Sequence, residues 1–219
     1  MHIRTVLTNR FVLFLILAGM APMIFSQTRR PAASPPRIDI LNYKIEANLT
    51  PDAHELKASA TIAFKALEAT DFVVFELSEN LSVQKVLNSE KVELEFGQDE
   101  ISPGFLSVRF PRTLSSGAEV NISIEYQGGF DRDRFSRMFT RDESSAYIGM
   151  EGTYLMYSAK WFPVSQFLAD RATGTIEVTV PLGMTAIGPG AQRPVLTKGI
   201  SETFGWNATT PILPGSFVA

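Results

Sequence analysis

A chain of 219 residues that is 45% hydrophobic and 20% charged holds enough apolar material for one large domain or two small ones, which excludes a disordered chain. A formal net charge of −3 without any basic stripe argues against nucleic acid or an anionic membrane surface as partner. Cysteine is absent, so disulfides, thiolate nucleophiles and cysteine-held metals are all excluded.

The amino terminus has the form of an export signal. Arg4 and Arg10 come before or beside an apolar run over residues 11–25, which Gly19 and Pro22 interrupt. A run of about 15 residues is short for a membrane span and fits the core of a signal peptide ending at Ser26. Residues 1–26 are therefore expected to be removed and the remainder to be secreted or periplasmic, with no stable membrane anchor. An uncleaved anchor is the alternative; a lipoprotein would need a cysteine. Residues 27–37, with Arg29, Arg30, Pro31, Pro35 and Pro36, read as an extended linker.

From Ile38 the pattern has period two. Tyr43, Ile45, Ala47 and Leu49 share one face, and Asn42, Lys44, Glu46 and Asn48 the other. Thr50-Pro51-Asp52-Ala53 turns the chain, and Leu56, Ala58, Ala60, Ile62 and Phe64 then repeat the alternation. Shorter strands are expected over 72–77, 81–86, 92–96, 106–110 and 120–126, separated by turns such as Ser102-Pro103-Gly104 and Ser115-Ser116-Gly117. After Gly128-Gly129, the charge-rich stretch 130–145 reads as a long surface loop. An aromatic segment, 154–164, leads to a strand over 174–181 with Ile176, Val178 and Val180 on one face; Pro181 ends it for want of an N–H. No stretch sustains a helical period. The fold class is all-β, an antiparallel sandwich or saddle of two or more sheets with little helix, over residues 38–219.

Little catalytic chemistry is in sight. A zinc peptidase needs His-Glu-x-x-His on a helix, and this chain has only His2 and His54. A Ser-His-Asp triad would have His54 as its only base, and His54 lies in a turn. No pair of carboxylates stands out by spacing as the machinery of a hydrolase. No catalytic residue, no metal ligand and no cofactor is assigned to this chain. Gly149-Met150-Glu151-Gly152 reads as a glycine-flanked turn. Asn48, Asn80, Asn121 and Asn207 each begin an Asn-x-Ser/Thr glycan acceptor pattern, Asn121 inside a predicted strand.

The segment 154–164 with its Phe162-Pro163 pair, the strand ending at Pro181, and Ala186-Ile187-Gly188-Pro189-Gly190 together resemble the N-terminal β domain of aminopeptidase N-type (gluzincin) zinc metallopeptidases. Residues 42–46 through His54-Glu55-Leu56 and Ile62-Ala63-Phe64 are similar to that family's opening hairpin. Residues 204–212 and Phe217-Val218-Ala219 are similar to the strand pair that leads into its catalytic domain. The resemblance covers 38–219 as a diffuse pattern of hydrophobics and turns. Together with the export signal, it implies an exported domain that forms one wall of a peptide cleft and lacks the zinc-binding catalytic domain, which would be its partner. Zinc and the peptide substrate would belong to the intact parent, and no activity is expected of this chain alone.

The resemblance also bears on single residues. In the family, a Glu or Gln nine residues before the aromatic-Pro proline binds the substrate's α-amino group. Nine before Pro163 stands Tyr154, which cannot supply a carboxylate; Glu151 takes the role if the register shifts. Glu151 and Tyr154 are thus the substrate-binding candidates. The family's Gly-x-Met-Glu-Asn motif is only superficially like residues 149–152, which lie upstream of the aromatic-Pro pair and lack the Asn. Gln166-Phe167-Leu168 replaces the usual Asp-Glu-Pro, as in a divergent branch. Trp161, Phe162, Trp206 and Phe217 would lie near the face that the catalytic domain covers, and the last strand would keep an open edge. The competing reading is a free-standing secreted β-sandwich that binds protein or glycan through exposed Tyr154, Tyr157, Trp161 and Trp206.

Overall fold

A computed structural model describes residues 35–98, 103–131, 145–166, 169–213 and 215–219. The expected signal peptide, most of the expected linker, positions 132–144 of the charged stretch and Phe167-Leu168 lie outside the described residues. No helix among the described residues is long and apolar enough to cross a membrane.

Strands β1 (Ile38–Thr50) and β2 (Glu55–Ala66) form the hairpin that the alternation predicts, with Ile45 opposite Ala60 and Leu49 opposite Leu56. A 3-10 turn over Pro51–Ala53 joins them, and His54 closes it in the left-handed conformation at φ 57°, donating its N–H to the Pro51 carbonyl. The buried positions of β1 slip phase, from Ile38 and Ile40 to Tyr43, Ile45, Ala47 and Leu49. A bulge between Ile40 and Asn42 absorbs the extra residue, so both apolar sets reach the same face.

The next strands are β3 (Thr70–Glu76), β4 (Leu81–Asn88), β5 (Glu95–Gln98), β6 (Phe105–Leu114) and β7 (Glu119–Gly129). Then come β8 (Ala146–Tyr147), β9 (Tyr154–Leu155), β10 (Ala172–Pro181), β11 (Ala191–Gln192), β12 (Leu196–Lys198), β13 (Ser201–Ile212) and β14 (Phe217–Val218). They make one large sheet in the order β11-β13-β10-β1-β2-β7-β4, with β12 also on β13, and two three-stranded sheets, β3-β6-β5 and β14-β9-β8. The protein is all-β, as expected. One pairing departs from the antiparallel expectation: β1 and β10 run parallel, Ile45 beside Ile176 and Ala47 beside Val178. Alternation within a strand sets its faces but not the direction of its neighbour, so the sequence pattern is equally compatible with either.

The expected strand over 92–96 is divided between two sheets. Its first part pairs back onto β4, with Leu87 bridged to Glu93 and the Leu94 N–H donated to Val86; its second part continues as β5 on β6. The Asn88 carboxamide oxygen shapes the corner by accepting the N–H groups of Glu90 and Val92, both at 2.9 Å. Residues 204–212 and 217–219 likewise do not form a strand pair, because β13 lies in the large sheet and β14 in a small one.

Apolar faces of the large sheet and of β3-β6-β5 meet in one core. Phe64 of β2 packs on Phe75 of β3 and Phe110 of β6, each at a ring distance of 6.3 Å. The other face of the large sheet is polar. There Glu46 and Glu177 stand directly opposite each other in the parallel register, which would repel. Lys44, 2.7 Å from Glu46, and Arg193, paired with Glu177, offset that repulsion at partly exposed positions.

Asp170 ties the bulge of β1 to the approach to β10: its Oδ2 accepts the Ile40 N–H at 2.9 Å. Desolvation raises the carboxyl above the ordinary aspartate range, helped by the Asp39 charge and opposed by the N–H groups of Ile40 and Arg171. A folded-state value above the unfolded one gives stability that is present below the unfolded value and lost as pH rises through the folded one. Asp170→Asn keeps an acceptor for Ile40 and has no charge to desolvate. The variant should be more stable than the parent near pH 7, and the difference should vanish towards about pH 3. Urea unfolding across that range checks it; a difference constant with pH would refute the assignment.

Candidate functional site

The two residues singled out for substrate binding lie at the end of the smallest sheet. Strands β8 and β9 pair with Tyr147 opposite Tyr154 and Ala146 opposite Leu155. Between them, Gly149-Met150-Glu151-Gly152 forms the expected turn, closed by the Gly152 N–H on the Gly149 carbonyl at 3.2 Å. Buried Thr153 braces the turn from below, its hydroxyl accepting the Gly149 N–H at 3.2 Å.

Glu151 is exposed at the tip of this turn. The Tyr147 hydroxyl donates to its Oε1 at 2.7 Å, a charge-assisted bond. Tyr147 itself is only 4% exposed; its ring lies 6.0 Å from that of Tyr154 and 5.7 Å from that of His54. Gly149 makes this arrangement feasible, because a Cβ there would sit 2.2 Å from the Tyr147 hydroxyl oxygen. The phenol folds back over a residue that has no side chain. Tyr147 is thus the residue that connects Glu151 with Tyr154, and sequence reasoning missed it. The only signal was the Tyr-x-Gly spacing beside a turn.

His54 has the turn position expected of it. Its Nδ1 also donates to the Ile148 carbonyl, which links the β1–β2 turn to the segment before Glu151. One ring nitrogen is therefore committed to holding the backbone. Among the described residues no three His, Cys, Asp or Glu side chains come together as a metal-binding group. These residues do not fit a zinc site of their own.

On its other side, β9 pairs with β14, Leu155 opposite Phe217 and Tyr154 opposite Val218. Val218 in turn exchanges hydrogen bonds with Ile187 at 2.8 and 3.0 Å, while Ala219 exchanges them with Thr153 at 2.6 and 2.8 Å. Strand β14 is flanked on both sides, so the open edge expected of the last strand is not there. Paired residues share a face, which puts Tyr147, Tyr154, Val218 and Ile187 in one row. Exposure grows along it, reaching 43% at Val218 and 66% at Ile187.

The opposite side of β14 and β9 enters the core, and here the structure corrects two expectations. Trp161 and Phe162 are fully buried, and Trp206 and Phe217 are 2% exposed. Trp161 packs edge-on against Phe162 at 4.9 Å and Phe217 at 5.2 Å, and its indole N–H donates to the Gly215 carbonyl. Phe162 meets Tyr43 of β1 at 5.4 Å. Trp206 is covered by the turn at 186–190, with Gly188 lying against the indole. These aromatics fasten the small sheet to the large one. They form neither a bare inter-domain face nor a binding platform, and Tyr157 is buried with them. Of the proposed platform only Tyr154 is partly exposed.

No protein-family model matches the sequence, and no curated protein does. Solved structures share the fold. The M1 zinc metallopeptidase of Deinococcus radiodurans matches with a TM-score of 0.70 and 18% identity, over 85% of this chain and 43% of that one. A mutant of that enzyme bound to a Tyr-Ser-Ala substrate gives 0.69 and 18%, over 83% and 42%. A two-domain M1 zinc metallopeptidase mutant bound to L-arginine gives 0.69 and 18%, over 85% and 44%. The chain therefore has the fold of part of these metallopeptidases and spans less than half of their length.

Proposed function

We propose that this chain is the exported N-terminal β domain of an aminopeptidase N-like zinc metallopeptidase, one wall of a peptide cleft whose zinc centre lies in a separate catalytic domain. The observation that supports this most is the fold match over 83% or more of this chain and only 42–44% of the metallopeptidases it resembles. Zinc, which polarises the scissile carbonyl and activates water, would be supplied by that catalytic domain. Within this chain, Glu151 offers its carboxylate to the α-ammonium of a peptide, and Tyr154 lines the row beside it. The free-standing binding module loses its support, since Trp161, Trp206 and Tyr157 are core.

Two expected outcomes test the reading. The chain alone should retain no stoichiometric zinc after dialysis against a chelator and should not cleave an aminoacyl reporter, because a zinc site takes three or four protein ligands. Elemental analysis showing one retained zinc per chain would overturn the division of labour. Trialanine should shift the NMR signals of Glu151 and Tyr154, whereas N-acetyl-trialanine should not, and Glu151→Gln should weaken the first by roughly tenfold or more. Equal response to both peptides would remove the amine anchor. Export is tested separately, by the intact mass of the exported product, expected to begin at about Gln27.

A further inference from the structure

We infer that Tyr147 is a positioning residue, which holds the Glu151 carboxylate in one orientation from beneath and so prepares it for an ammonium ligand; this rests on the amine-anchor reading above. A glutamate at an exposed turn tip has three rotatable bonds, and confining it costs rotamer freedom. Yet the carboxylate sits on the Tyr147 hydroxyl at 2.7 Å.

The phenol is suited to impose an orientation because it has none of that freedom. Its backbone is held by the ladder to Tyr154, and its ring is enclosed by Tyr154 and His54. Below it, Gly149 leaves just the space the ring fills. His54, through Ile148, fixes the backbone between Tyr147 and the turn. A rigid donor thus reaches a flexible acceptor, and the hydrogen bond transfers the order of the core to a surface carboxylate. Preorganisation of this kind raises affinity by removing a cost of binding rather than by adding a contact.

The experiment uses the full chain and its Tyr147→Phe variant, with two readouts. Three-bond NMR couplings to the Glu151 Cγ report its χ1. The parent should show one rotamer and Tyr147→Phe an average, with the Tyr154 and Thr153 amides unmoved. Gly149→Ala, which keeps the hydroxyl but displaces the ring, should average the rotamer in the same way. Trialanine binding should weaken roughly tenfold in Tyr147→Phe, as for loss of a hydrogen bond to a charged group. A Glu151 that is already averaged in the parent, or remains fixed in both variants, overturns the inference. So does trialanine binding that depends on Glu151 but is unchanged in Tyr147→Phe. Rotamer averaging in the variants without any trialanine binding by the parent upholds the positioning and overturns only the amine anchor.

Discussion

Trp161→Ala should destabilise the chain by about 4 kcal/mol, the range for emptying a large aromatic site in a core that cannot fully collapse. Trp161 has no exposed surface, touches Phe162 and Phe217 edge-on, and donates its indole N–H to Gly215. Removing it leaves a void between its own segment and residues 215–217, and strands a backbone carbonyl. Each aromatic pair adds its own preference for edge-to-face geometry, so Phe162 and Phe217 lose more than contact area. Urea unfolding should show a much lower midpoint with little change of slope. A loss below about 1 kcal/mol would mean that Trp161 is peripheral, and would restore the idea of an inter-domain face.

Deleting residues 217–219 should be at least as costly, at about 5 kcal/mol, because a core phenylalanine and a set of backbone hydrogen bonds go together. Strand β14 joins Thr153 on one side to Ile187 on the other. Without it the Thr153 and Ile187 amides lose their acceptors, and both should exchange with solvent at nearly unprotected rates. Amides of the β1–β2–β7 ladder should keep their protection, since no residue of β14 belongs to that ladder. Trialanine binding should disappear with the small sheet that presents Glu151. Retained protection at Thr153 would show that β8 and β9 hold without β14 and would refute the dependence.

How far the sequence reveals this protein depends on the length of each repeat. In β2 the alternation of buried and outward residues holds unbroken from Leu56 to Phe64, and the hairpin follows directly. The phase slip of β1, a step from Ile40 to Tyr43, is hidden in a reading of period two from Ile38 and emerges only with the bulge. Strands β8, β9 and β14 have two residues each, too few to show any period, so the smallest sheet escapes pattern reading although it carries the candidate site. Aromatics are ambiguous for another reason: Trp161 and Trp206 are as apt for a binding face as for a core, and only the neighbours decide. The resemblance pointed to Glu151 and Tyr154. It could not point to Tyr147, whose part depends on a ring folding back over Gly149.

The parallel pairing of β1 with β10 imposes an order of assembly on the chain. The Ile40 N–H and the Asp170 carboxylate that meet at this seam are 130 residues apart in sequence. Closing so long a loop is entropically unrewarded until the seam itself forms, which places the protein among slow folders of high contact order. While the chain is being synthesised, β2, β7 and β4 can gather on one side of β1 well before β10 exists. Until it arrives, the other side of β1 presents a row of unpaired N–H and C=O groups along a strand with one apolar face. That interval is when aggregation competes with folding. If the chain is exported as proposed above, such delay works in its favour, because translocation requires it to remain unfolded until it has crossed.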